Sequence, residues 1–200
     1  MRSKLGTRIF GAALAVALGS PFGVSSMAQA QTPTPVPRLS VKLTAAPAAS
    51  TFSIGQPVTV NFQLTNTGGT AVRLSDLTDG NLRIVSFQRN GIDVPTRKTS
   101  VDYDDDLANV LSQSLKLVAP GASIAGTWTS ALDDGANGLR EQALTAVTYA
   151  NSGQYTAQLF GLGSSGTYTV AFYYEYPTAS GPAGTFLGKT NTATVTFNVF

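Results

Sequence analysis

QPVTVNFQLTN, residues 56–66, alternates apolar and polar side chains along its length. Val58, Val60, Phe62 and Leu64 point one way; Thr59, Asn61, Gln63 and Thr65 point the other. An extended chain turns successive side chains to opposite faces, whereas a helix would scatter this pattern around its circumference. The stretch is a half-buried strand, and Asn66-Thr67-Gly68-Gly69 is the turn that ends it.

The same period recurs on both sides. Upstream, Leu39, Val41 and Leu43 alternate with Ser40, Lys42 and Thr44, until AAPAAS (45–50) breaks the pattern. Downstream, Ala71 to Leu74 reads as a short return strand, and Leu82 and Ile84 begin another. Asn90-Gly91 is a strong hairpin signal, since both residues tolerate positive φ, with Ile92 to Pro95 as the returning arm. Ser114–Val118 and Ser123–Thr129 flank the turn Ala119-Pro120-Gly121-Ala122 and read as a second hairpin, with Trp128 as a core plug. Tyr168 to Tyr176 is a long strand with Tyr168, Val170 and Phe172 inward, and residues 177–184 form a loop. Thr192 to Phe200 closes the chain with Ala193, Val195, Phe197 and Val199 on one face.

Two segments fit less well. Residues 99–111 (TSVDYDDDLANVL) read as a surface excursion with room for one helical turn. Within 131–150, LREQALTAVTYA fits a short helix with Leu139, Ala143, Leu144 and Val147 on one side, or a strand ending at Tyr149; the helix is favoured. NSGQYTAQL (151–159) and SSGTYTVAF (164–172) share a Gly-x-Tyr core and read as two similar strands. Many short strands separated by Gly, Pro and Asn turns predict an all-β fold, an immunoglobulin-like antiparallel β-sandwich with a short helical or extended insertion.

The first thirty residues carry an address. Arg2, Lys4 and Arg8 precede an apolar run from Ile9 to Leu18, and Ala28-Gln29-Ala30 closes the segment. This is the layout of a secretory signal peptide. The expected organisation is a signal peptide at 1–30, a Pro-rich linker at 31–38 and one domain at 39–200. The expected location is secreted: periplasm, cell surface or extracellular space. Three of the 13 basic residues lie in the leader, leaving ten against 11 acidic ones, so no basic surplus favours nucleic acid. No apolar run after the leader is long enough for a transmembrane helix.

The chain has no cysteine and no histidine. That removes disulfides, thiol nucleophiles, Ser-His-Asp triads and His- or Cys-ligated zinc. Only Glu141 and Glu175 are glutamates. The expectation is a protein that is not an enzyme.

Three stretches together resemble a known family. TVNFQLTNTGGTAVRL (59–74), LVAPGASIAGTW (117–128) and SGTYTVAF (165–172) occur in the order found in bacterial Ig-like β-sandwich domains of the BsuPI (intracellular proteinase inhibitor) type, with Asn90-Gly91 between them. The resemblance implies an Ig-like frame in which Tyr168 takes the tyrosine-corner position and Val170 a core position. It also implies proteinase inhibition as one possible activity. This chain differs in its long connection between Trp128 and Gly166, its further strand to Phe200 and its leader.

Asp102, Asp104, Asp105 and Asp106 form the densest charge cluster. Clustered carboxylates can hold calcium, which takes six to eight oxygens, although the spacing is not that of an EF-hand; a solvated loop or helix start is the alternative. Asp133-Asp134 reads as a turn and cap. The expected function is a non-catalytic binding or structural module of the envelope or extracellular space, with another envelope or extracellular protein as partner. The alternatives are an extracellular proteinase inhibitor and a calcium-dependent adhesion domain. Candidate surfaces are the 99–110 loop, the 131–150 insertion and the 177–189 loop.

Overall fold

In the computed structural model, residues 40–101, 107–134, 140–149, 155–178 and 181–200 are described. The segments expected to be a signal peptide and a Pro-rich linker, and Asp102, Asp104, Asp105 and Asp106, lie outside them. The strands are β1 (Val41–Pro47), β2 (Thr51–Phe52), β3 (Thr59–Asn66), β4 (Val72–Leu74), β5 (Leu82–Arg89), β6 (Ile92–Asp93) and β7 (Thr96–Val101). A short helix, α1 (Leu107–Gln113), follows. Then come β8 (Lys116–Val118), β9 (Ser123–Thr129), β10 (Ala131–Asp134), β11 (Arg140–Tyr149), β12 (Tyr155–Gly161), β13 (Gly166–Tyr174) and β14 (Ala193–Val199). The fold is all-β.

Among the described residues four sheets form, ordered β1-β3-β9, β2-β14-β13-β5-β6, β10-β11-β12-β7 and β4-β8. Every pairing is antiparallel except β2 with β14. The first two sheets turn their apolar faces to one core. Val60, Phe62 and Leu64 of β3 meet Val170 and Phe172 of β13 and Val195 and Phe197 of β14 there. Trp128 of β9 sits edge-on to Phe172 at 5.6 Å between ring centroids, joining the two sheets. The period-two readings of β3, β13 and β14 hold residue by residue.

Two turns follow from their side chains. Asn66 is fully buried; its Oδ1 accepts from Gly68 N–H at 2.9 Å, and its Nδ2 donates to the carbonyls of Thr70 and Val118. An Asn that bonds the backbone two residues on shapes the turn itself. Asn90 and Gly91 both have positive φ (51° and 78°), the conformation a tight two-residue hairpin needs.

Several expectations need correction. Residues 131–134 and 140–149 are not helical: β10 and β11 form an antiparallel pair, β11 is the strand ending at Tyr149, and Asp133 and Asp134 lie in β10 rather than in a turn. The helical reading failed because β11 is buried on both sides. Leu144 and Ala146 join the main core, whereas Ala143 and Val147 join a second cluster with Leu111, Tyr155, Ala157, Leu159 and Tyr176. A doubly buried strand gives a nearly continuous apolar run, which periodicity cannot tell from a helix.

The turn at 119–122 forms, with Ala122 N–H on the Ala119 carbonyl at 3.0 Å, but its flanks do not pair with each other. β8 pairs with β4 and β9 with β3. The seven-residue β9 matches its inward Ile124 and Trp128 to Leu64 and Val60 of β3, a longer ladder than the three-residue β8 could offer. AAPAAS does not stop the first strand at Thr44: β1 runs on to Pro47. It is an edge strand, where a residue without an N–H is tolerated. After Asn90-Gly91 the return pairs at Ile92 and Asp93, with Val94 N–H on the Phe87 carbonyl at 2.9 Å, and the chain then enters another sheet as β7, taking in residues 99–101 of the expected surface excursion.

Candidate functional site

The corner between β9 and β10 sets the position of the β10-β11-β12-β7 sheet. Ser130 is buried there; its N–H donates to the Val58 carbonyl and its hydroxyl accepts from Val58 N–H, both at 2.8 Å. The same hydroxyl donates to Gln142 Oε1 of β11 at 2.8 Å. Trp128 Nε1 donates to the Thr145 carbonyl at 2.8 Å. These bonds hold the inserted sheet against the core so that one end of it faces the β5–β6 hairpin.

A cleft of about 530 Å³ lies between that hairpin and the inserted sheet. Its polar lining includes Arg89, Arg97, Asp133, Glu141 and Tyr168. Ile92, Val94, Pro95 and Leu159 supply an apolar wall. Arg97 of β7 and Asp133 of β10 form an ion pair. Glu141 Oε2 accepts from Gly163 N–H at 3.1 Å. Gly161 and Gly163 make room for that carboxylate: a Cβ on Gly161 would stand 2.7 Å from Glu141 Oε1, and one on Gly163 would collide with Oε2.

Tyr168 is 1% exposed, and its hydroxyl donates to the Ser164 carbonyl at 2.7 Å. Burial raises its pKa above the ordinary tyrosine value. Arg89 and the Ser164 bond oppose the rise, and the Glu141 charge adds to it. Both Arg89 and Glu141 therefore lie close enough to act on the Tyr168 hydroxyl. Neither forms an ion pair with any described residue. The hydroxyl stays protonated at neutral pH and works as a fixed donor.

Of the surfaces expected to carry function, among the described residues only the 131–150 insertion contributes here, through Asp133, Glu141 and Ala143. In the 177–189 loop Phe186 packs down, 4% exposed and stacked near Tyr174 at 6.4 Å, whereas Leu187 is 46% exposed. Tyr174 and Tyr176 are buried, so they and Tyr173 do not make an exposed aromatic strip. The proposed calcium ligands Asp102, Asp104, Asp105 and Asp106 fall outside the described residues; among the described residues no group of three acidic side chains could hold a metal ion. No helix among them is long and apolar enough to cross a membrane. Sequence reasoning missed Arg89, Arg97 and Glu141 because strands far apart in the chain bring them together. The Gly161-x-Gly163 pair was the one local sign that a side chain had to pass closely.

No family model and no curated protein matches the chain. Among solved structures it is similar to AvmM, which catalyses macrocyclization in alchivemycin A biosynthesis, at 12% identity and a TM-score of 0.34, over 83% of this chain and 96% of that one. It is also similar to the bacterial hydrophobin BslA, at 12% identity and a TM-score of 0.24, over 82% of this chain and 96% of that one. Likenesses this weak bear on neither fold nor activity.

Proposed function

We propose that the chain is an exported, non-catalytic binding module on an immunoglobulin-like β-sandwich, and that the cleft beside Tyr168 is its ligand site. The sheet orders β1-β3-β9 and β2-β14-β13-β5-β6 support the Ig-like frame, as does the parallel pairing of β2 with β14. So does the Tyr168 bond to a carbonyl four residues upstream, in the manner of a tyrosine corner. On this reading β7 and β10–β12 are an added sheet.

The observation that carries the ligand reading is that Arg89 and Glu141 line one cleft beside Tyr168 without an ion pair to any described residue. Beside an apolar wall, that set suits an extended peptide segment of another envelope or extracellular protein. Its carboxylate would bond Arg89, its amides Glu141, and its apolar side chains Ile92 and Val94. Titrating a peptide library by isothermal calorimetry tests this. Hits should lose affinity about tenfold or more in Arg89→Ala and Glu141→Gln. Hits that ignore both variants would place recognition elsewhere.

A proteinase inhibitor remains a second reading for one reason. Ile92 is 74% exposed beside the Asn90-Gly91 turn, as a residue offered to a protease pocket would be. Inhibition at stoichiometric dose, lost in Ile92→Asp, would support it; no slowing across serine and metalloprotease panels would end it.

A further inference from the structure

We propose that β9 is a self-pairing edge: two copies of the chain associate by laying their β9 strands side by side, antiparallel, about a two-fold axis at Gly126. One edge of β9 is taken by β3, from Thr59↔Thr129 to Thr65↔Ser123. The other faces no described strand. The hydrogen-bond phase is fixed by the two ends of the ladder. Ser130 N–H donates to the Val58 carbonyl, and Asn66 N–H donates to the Ala122 carbonyl. Bonded positions alternate in an antiparallel pair, so Ala122, Ile124, Gly126, Trp128 and Ser130 face β3. Ser123, Ala125, Thr127 and Thr129 then direct their backbone groups to the open edge, and all four are exposed.

The other long edges are defended. Asn191 clamps both backbone groups of Leu43 in β1. β7 carries Arg97 and Lys98, and β10 carries Asp133 and Asp134. β2 and β6 are two residues each. Charges, short length and covered backbone are the usual means of keeping edges from pairing. The seven residues Ser123–Thr129 hold no charge and no proline.

A second copy of this strand is the occupant that fits. With the axis at Gly126, Ala125 lies opposite the partner subunit's Thr127, and Ser123 lies opposite the partner subunit's Thr129. Both members of each pair direct their backbone groups to the open edge, so the hydrogen-bond phase of the two copies matches. No charges oppose one another. The solvent face already runs as a hydroxyl ladder, with Thr59 on Thr129 at 3.1 Å and Thr65 on Ser123 at 2.8 Å. Self-pairing carries that ladder across the axis. At the axis, the ring of the cross-strand partner Phe62 occupies the space a Cβ on Gly126 would need.

Sedimentation equilibrium of the protein, expressed from its full coding sequence, tests the proposal. The expected result is a concentration-dependent monomer–dimer equilibrium. Ala125→Lys with Thr127→Lys sets ammonium groups directly opposite one another across the axis, and dimerisation should weaken about tenfold or more. Ala125→Glu with Thr127→Lys sets carboxylate opposite ammonium and should keep the dimer. The substituted side chains are exposed, and the emission of Trp128 confirms that each variant is folded. A monomer up to about 1 mM, a dimer indifferent to the double-lysine change, or equal loss in both variants would overturn the proposal.

Discussion

Asn191 mimics a strand for Leu43: its Oδ1 accepts from Leu43 N–H at 2.8 Å, and its Nδ2 donates to the Leu43 carbonyl at 2.9 Å. One side chain from the loop before β14 thus satisfies both backbone groups of an edge residue 148 positions away. Asn191→Ala strips both bonds and should cost about 1–3 kcal/mol in urea unfolding. Asn191→Asp keeps the acceptor but loses the donor and should cost nearly as much. A variant as stable as the parent would mean that water replaces the clamp without loss.

Gly126 presses against Phe62, and a Cβ there would also stand 2.7 Å from the Asp76 carbonyl. Gly126→Ala should destabilise by about 1–3 kcal/mol, the usual range for overfilling a packed core. Adding Phe62→Leu should recover part of that loss, because the clash and the ring are one contact. Thermal melts of the two single variants and the pair make the cycle; strict additivity would refute the coupling.

Trp128 is the lone tryptophan and is 3% exposed. Its emission should be blue-shifted in the folded protein and move red in a single step on unfolding. Trp128→Phe keeps most of the ring packing against Phe172 but abandons the Thr145 carbonyl. That should cost about 1–3 kcal/mol, read by circular dichroism.

Tyr174 is fully buried, with its hydroxyl accepting from Ser75 N–H at 3.2 Å. Burial pushes its pKa well above the ordinary value of 10.0. Tyr168 is raised for the same first reason. A raised folded pKa leaves stability intact below the unfolded value and removes it as pH climbs toward the folded one. Stability should therefore be flat near neutrality and fall from about pH 10 upward, by at most about 1.4 kcal/mol per pH unit for each such tyrosine. Tyr174→Phe should flatten that fall. Chemical unfolding between pH 8 and 11 would show an undiminished slope if Tyr174 were not responsible.

The strands that line the main core were legible because each has one wet face. Residues 58–64, 168–172 and 193–199 put every inward side chain where alternation placed it. Pairing was less legible. Nothing local to 114–129 says that β9 prefers β3 to the neighbour across its own turn; that choice rests on matching Trp128 and Ile124 to a strand some sixty residues upstream. β11 was misread because its two wet faces do not exist. The cleft was invisible for a related reason. Arg89, Arg97, Asp133 and Glu141 sit on four strands, and no short window of sequence contains them together.

The doubly buried β11 has a consequence for dissection of the molecule. Because Leu144 and Ala146 plug one core while Ala143 and Val147 complete the other, the inserted sheet is a shared wall and not an appendage. Excising it would unroof both cores, so the chain should resist trimming between Thr129 and Leu162.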